Sequence, residues 1–404
     1  MRVAVIGGGW AGLSAAVHAV QRGHRVSLFE MAPQLGGRAR SLDNGLDNGQ
    51  HILIGAYVET LALLATVGVD TGEAFLRTPL RLRYPQHEGL ALPAGNALIA
   101  FSRGVLACRA WPLSARVLLL RAALGWLTRG FRCAQELTVS ELCTRLPAII
   151  REQLIDPLCI AALNTPAHQA SASVFLRVLK DALFSGPGSA DLMLPRRPLS
   201  GLLPEPARDW LHRHGAQIEL SRRVQSLDEL DDFDAMVLAT TSVEAARLAA
   251  DRAPEWAALA QGLRFEPIVS VYVESPGTVL PAPMIALQGE PAQFVFDLGQ
   301  LGHASGRFAF VVSGAREWVE RGLDVCAQQT LAQAAEALCW NTAPTLIKTL
   351  AEKRATFACV PGLQRPPMRI ASHLLAAGDY IEGPYPATLE GAVRAGRDAV
   401  EALV

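Results

Sequence analysis

The first thirty residues restrict the fold more than any other part of the chain. "RVAVIGGGWAGLSAAVHAVQRGHRVSLFE", residues 2 to 30, reads as strand, tight turn, helix and second strand. Arg2 to Ile6 is a short apolar run, as a buried parallel strand requires. Gly7, Gly9 and Gly12 keep the G-x-G-x-x-G spacing. Gly7 permits the turn, Gly9 lets the backbone approach a pyrophosphate, and Gly12 lets the helix pack closely on the strand. Trp10 and Ala11 open the helix, whose first N–H groups are free to take phosphate oxygens. Glu30 ends the second strand, 18 residues past Gly12, close to where an acid binds a ribose 2′-hydroxyl. An acid there repels a 2′-phosphate. The expected ligand is therefore the ADP half of FAD or NAD, not NADP. A glycine-rich turn without a ligand is the alternative, and the strand, helix, strand and acid around the glycines argue against it.

The rest of the composition bounds the class. At 404 residues the chain exceeds one ordinary domain, so two are expected. The 37 basic residues nearly cancel the 38 acidic ones, which argues against a nucleic-acid partner. Seven cysteines, an odd count with no Cys-x-x-Cys, make a disulfide framework or zinc site unexpected and a cytoplasmic, reducing setting expected. The apolar N-terminus is better explained as a strand than as a signal peptide. No other apolar run reaches about 18 residues, so no membrane-spanning helix is expected.

Three further segments decide between the two dinucleotides. "APQLGGRARS" follows Glu30 and carries Gly36, Gly37 and Arg38; two glycines and an arginine can fold over a pyrophosphate and neutralise it. This resembles the second half of the FAD grip in flavoprotein oxidases. Near the C-terminus, "LLAAGDYIEGPYPATLEGAVRAGRDAVEAL" gives a strand, Gly378-Asp379, a loop, and a helix from about Ala387. In such flavoproteins an acid at the Asp379 position meets the ribityl chain. The helix start, at Thr388 and Leu389, aims its positive end at the flavin. In the middle, "GAQIELSRRVQSL" reads as a strand pair carrying Val224, the position whose backbone meets adenine in amine-oxidase-like flavoproteins. "FDAMVLATT" reads as a buried strand. No second G-x-G-x-x-G is found, so no nicotinamide domain is expected, and an external electron donor is the expected partner.

The intervening segments suggest what the protein acts on. Residues 79 to 195 are mostly helical by pattern. From Gly89 to Gln135 there are six arginines, interleaved aromatics and no acid. Such a segment suits a membrane interface, and suits equally a core helix with a solvated arginine face. Asp156-Pro157 reads as a helix start with Asp156 as cap. Residues 265 to 313 alternate in a strand-like way, as an antiparallel sheet flooring a cavity would.

With these residues in view, the chain resembles the squalene-associated FAD-dependent desaturases, also called hydroxysqualene dehydroxylases, a family grouped with carotenoid desaturases and amine oxidases. "DNGQHILIGAY" and "DPLCIAALNTP" carry the narrower resemblance. It implies an α/β fold in which a Rossmann-type FAD-binding domain (1–78, 196–262 and 352–404) interleaves with an α+β substrate domain (79–195 and 263–351). It implies FAD as cofactor, a hydrophobic C30 isoprenoid as substrate, and reductive removal of the hydroxyl of hydroxysqualene in hopanoid synthesis. Asn48, Gly49, Gln50 and His51 would stand near the flavin ring. There Asn48 and Gln50 would position it, while His51 would supply a proton or only hold a loop. Asn164, Thr165 and Tyr385 would border the substrate pocket. Peripheral contact with the inner membrane is the matching localisation. Two other readings stay open: an oxidative polyene desaturase, and a prenyl-lipid escort of the GDP-dissociation-inhibitor type.

Overall fold

The structure is a computed structural model describing residues 1–42 and 45–403. Val3 to Ile6 are all buried, and their strand, Arg2–Ile6, lies inside a six-stranded sheet. Across it run Arg369–Ala371, Leu374–Ala376, Ala235–Leu238, Arg2–Ile6, Arg25–Phe29 and Gln217–Glu219. All neighbours are parallel except the first pair. Successive side chains of the inner strands enter different cores: Val3, Val5, Leu28 and Val237 one, Ala4, Ile6, Met236 and Leu238 the other. Burial on both faces is why these strands read as unbroken apolar runs.

The helix Trp10–Gln21 packs against the C-terminal helix Leu389–Glu401. Gly396 makes the contact. A Cβ there would lie 2.2 Å from the Ala11 carbonyl oxygen, so only glycine allows this approach.

The alternation at 265 to 313 resolves into an antiparallel sheet, ordered Met284–Ala286, Phe294–Asp297, Arg307–Val312, Phe265–Glu274, Thr345–Phe357. Its last strand, 13 residues long, was not anticipated from sequence. One face, with Val269, Val271, Phe308 and Phe310, forms a core of its own. Ser270 and Tyr272 point the other way, as a two-residue period requires. A small sheet of Leu53–Ile54, Leu192–Pro195 and Phe75–Thr78 joins segments distant in sequence.

Two local expectations are corrected. Asp156 does not cap a helix. It has helical dihedrals and continues a π-helical turn, Arg151–Ile155, into the helix Asp156–Leu163. Pro157 is tolerated because it falls in the first turn after that change of register. Residues 215–227 hold one short strand, Gln217–Glu219, followed by coil and a short 3-10 turn, not a strand pair. The polar stretch after Glu219 makes no partner strand.

All six strands of the first sheet fall within 1–78, 196–262 and 352–404, and four of the five in the second fall within 263–351. We propose the two-unit division on this distribution. The strand Thr345–Phe357 crosses the boundary at 351/352.

Candidate active site

The cradle begins at Gly7, whose backbone has φ +106°. A Cβ there would lie 2.5 Å from the Ala239 carbonyl oxygen, and one on Gly12 1.8 Å from that of Gly7. These two glycines are required by the protein itself. Gly9 differs: its Cβ would meet only Gly37 Cα, at 3.9 Å. The space over Gly9 is thus left clear by the chain, as a cradle for a pyrophosphate needs. The helix Trp10–Gln21 starts there without a side-chain cap, leaving its first N–H groups for a ligand.

The second glycine loop closes onto the first. The Gly36 N–H donates to the Gly8 carbonyl at 2.8 Å, and the Trp10 indole donates to the Ala39 carbonyl at 3.0 Å. Glu30 is buried. Its carboxylate accepts from the N–H of Gly8 at 2.7 Å and of Ala32 at 2.8 Å. The acid expected to hold a ribose therefore also shapes the loop. Val224 is buried nearby in sequence to Arg222, whose N–H donates to the Glu30 carbonyl. The Val224 carbonyl accepts from Arg247.

Arg38 is placed otherwise than expected. Its guanidinium meets Asp379 at 2.7 Å and the carbonyls of Arg354 and Ala355. Burial opposes its charge, but Asp379, with Glu352 and Tyr380, more than offsets this and raises its pKa. Two of the predicted cofactor residues are thus brought together as an ion pair. Arg40, which sequence reasoning passed over, adjoins the second glycine loop: one of its terminal nitrogens donates to the Gly37 carbonyl, while its Nε, like those of Arg151 and Arg307 elsewhere, is buried with no partner. A buried donor without an acceptor costs stability. An anion in the cradle is the kind of group that satisfies it, and the residues present fit a dinucleotide. The spacing of Arg38 and Arg40 about Ala39 was the available signal.

At the far side, Thr388 caps the C-terminal helix by accepting from the Gly391 N–H at 3.0 Å, with Leu389 opening the first turn. Glu390, buried in that turn, was not anticipated. Its carboxylate accepts from the N–H groups of Glu59 and Thr60, the Thr60 hydroxyl and Arg394.

The polar turn at residues 47 to 51 lies against the second sheet. The Tyr272 hydroxyl donates to the Asp47 carbonyl at 2.9 Å. Gly49 has φ +104°, with Ser270 Oγ and His51 Cε1 nearest to where a Cβ would point. Asn48 donates to the Arg38 carbonyl at 3.0 Å and to Glu352 at 3.3 Å, so the turn is bound to the cradle. Gln50 is half-buried beside it. The His51 Nδ1 lies 3.2 Å from the Gly49 carbonyl. Burial lowers the His51 pKa, with Gly49 and Asp47 opposing. Burial raises the Asp47 pKa, although Ser41, the Leu199 N–H, His51 and His303 pull it down. The two pKa values are thus drawn toward each other across the turn. His303 was missed because it is remote in sequence.

The expected pocket residues separate. Asn164 closes a helix in the left-handed region, φ +48°. Its amide donates to the Glu266 carbonyl and Thr356 Oγ and accepts from the Gly314 N–H. The Thr165 hydroxyl lies between the Leu163 carbonyl and the Cys359 N–H. Both are buried and occupied in joining helix to sheet. Tyr385 is half-buried, with its hydroxyl accepting from Arg177 at 3.0 Å and its ring flanked by Arg177 and Arg394.

Comparison with known proteins agrees with this arrangement. Residues 5–64 match the NAD(P)-binding Rossmann-like domain. The hydroxysqualene dehydroxylase of Sinorhizobium fredii is 27% identical, covering 99% of this chain and 97% of its own. That of Zymomonas mobilis is 22% identical, covering 98% and 97%. Among solved structures, an oxidoreductase from Methanosarcina mazei superposes with a TM-score of 0.77 at 14% identity, covering 99% of this chain and 100% of its own. Cyclohexylamine oxidase from Brevibacterium oxydans gives 0.68 at 16%, covering 100% and 98%. The chain is thus similar along its whole length to hydroxysqualene dehydroxylases, and its fold is one seen in amine oxidases.

Proposed function

We propose that this chain is an FAD-dependent oxidoreductase that removes the hydroxyl of hydroxysqualene, giving squalene and water. The observation that carries the reading is similarity along the whole chain to proteins of that name, joined to a cradle whose buried Arg40 donor lacks a partner. Bound in its reduced form, FAD supplies a hydride. The carbon–oxygen bond breaks, a carbon–hydrogen bond forms, and one proton leaves with the oxygen as water.

The chain's own residues divide the work three ways. Gly9, Gly37, Glu30 and Arg40 bind and orient the dinucleotide. Asn48, anchored to Arg38 and Glu352, fixes the turn, and Gln50 beside it is assigned to orienting the ring. His51 is the proton donor, because hydroxide is a poor leaving group and an imidazolium is a strong enough acid to assist it. The depressed His51 pKa makes that imidazolium a stronger acid than free histidine. An external reductant returns electrons between turnovers.

The test is an anaerobic single turnover with enzyme reduced beforehand and hydroxysqualene as substrate, products read by mass spectrometry. Squalene formed in proportion to enzyme supports the reading. A product lacking two hydrogens, formed only with oxidised enzyme, assigns the chain to polyene desaturation.

A further inference from the structure

We propose that the two helices Ala97–Ala107 and Leu113–Thr128 rest on an anionic lipid bilayer, and that the apolar crevice behind them admits the substrate from it. On the longer helix Leu113, Val117 and Leu124 are 63%, 49% and 57% exposed. Their spacing of four and seven places them along one side. Ala115, Leu119 and Trp126 are buried on the other. On the shorter helix Ile99 and Leu106 are 60% and 50% exposed. Single exposed leucines are ordinary, but an exposed row on consecutive helices marks an interaction surface.

The charge on this region selects the partner. Arg103, Arg109, Arg121, Arg129 and Arg132 are exposed, and none forms an ion pair among the described residues. No acid occurs from Gly89 to Gln135. A second copy would set arginine against arginine. An anionic bilayer offers hydrocarbon and negative charge together. Arg116 instead donates to the Trp111 and Leu106 carbonyls and fixes the angle between the helices. No helix among the described residues is long and apolar enough to cross a membrane, so the pair lies on the surface.

Behind the pair is a crevice of about 40 Å³ walled by Phe101, Leu119, Trp126, Leu158, Leu179 and Leu183. A second space, about 130 Å³, shares Leu98 and Leu183 with it. Pockets that enclose sizeable ligands run to several hundred Å³ (roughly 300 to 1,000), so a hydrocarbon chain enters only as the walls part. The wall helix Ala172–Phe184 also carries Arg177, which reaches Tyr385 ahead of the C-terminal helix. This access route rests on the isoprenoid reading above; the docking surface does not.

The test uses the whole FAD-loaded protein and sedimentation with vesicles of phosphatidylglycerol and phosphatidylcholine, or of phosphatidylcholine alone. Binding should require the anionic lipid and weaken with salt. R103Q/R121Q/R129Q should weaken it roughly a hundredfold, at about fivefold for each arginine. L113S/V117S/L124S should abolish it while keeping FAD content and turnover of detergent-dispersed substrate, with turnover of vesicle-borne substrate lost. No sedimentation of unaltered protein at low salt overturns the docking. So does a dimer in analytical ultracentrifugation that the serine variant dissolves. Normal vesicle-borne turnover by that variant overturns the access route. Vesicle binding without turnover of any substrate form sinks the reaction and the access route, and leaves the docking supported.

Discussion

Gly9 and its neighbours show how one residue type serves two masters. At Gly7 and Gly12 a methyl group would strike the chain's own carbonyls, whereas at Gly9 it would meet only Gly37 Cα at 3.9 Å. Gly9→Ala should therefore change unfolding stability by less than about 0.5 kcal/mol, yet weaken FAD binding at least tenfold. Denaturant melts and a flavin fluorescence titration read the two effects separately; equal FAD affinity would remove Gly9 from the cradle. His51 gives the second residue-scale prediction. Burial lowers its pKa below the usual 6.5, so near pH 7.5 nearly all of it is neutral. If its cation donates the proton, kcat should rise as pH falls and level off only below that depressed value. His51→Ala should lose that acid limb and about 10² to 10⁴ in turnover, with FAD content preserved. A flat pH–kcat profile in the unaltered enzyme would exclude His51. The glycines, Glu30 and the Gly-Asp turn were legible because their meaning is carried by local spacing. The partner of Arg38, the vacant Nε of Arg40 and the approach of His303 were not, since each depends on which distant groups the fold brings near.

Helices and strands were readable where a period was uninterrupted. The opening strand–helix–strand and the C-terminal helix lie near their expected bounds. The strand Thr345–Phe357 alternates poorly and is exposed through much of its first half, so its own sequence gives little sign of pairing with Phe265–Glu274. Asp156-Pro157 looked like a helix start because nothing local announces a π-turn. Glu390 illustrates a bond between elements that only folding creates. Its carboxylate sits at the start of the helix Val58–Thr66, accepting backbone N–H groups there while belonging to the first turn of Leu389–Glu401. Such a site favours negative charge. Glu390→Gln would turn an amide N–H toward N–H donors and should cost about 1–3 kcal/mol, measured as a lowered urea midpoint with an unchanged slope. A midpoint equal to that of the unaltered protein would show that the charge is not needed there.

For the molecule as a whole, the two sheets are joined at the place where chemistry is proposed. The strand Thr345–Phe357 pairs along Phe265–Glu274 in the second sheet. Its far end offers the Arg354 and Ala355 carbonyls to Arg38 and the Glu352 carboxylate to Asn48. Arg38 in turn holds Asp379 at the end of the first sheet. One strand thus touches the cradle, the polar turn and the substrate-side sheet. FAD loading should slow deuterium uptake in peptides covering 345–357 as well as in those covering 7–12 and 36–41. Protection confined to the two glycine loops would show that the strand does not feel the cofactor. Protection in all three segments would make the shared strand a dovetail between container and tool, so that fitting the tool also tightens the container's wall.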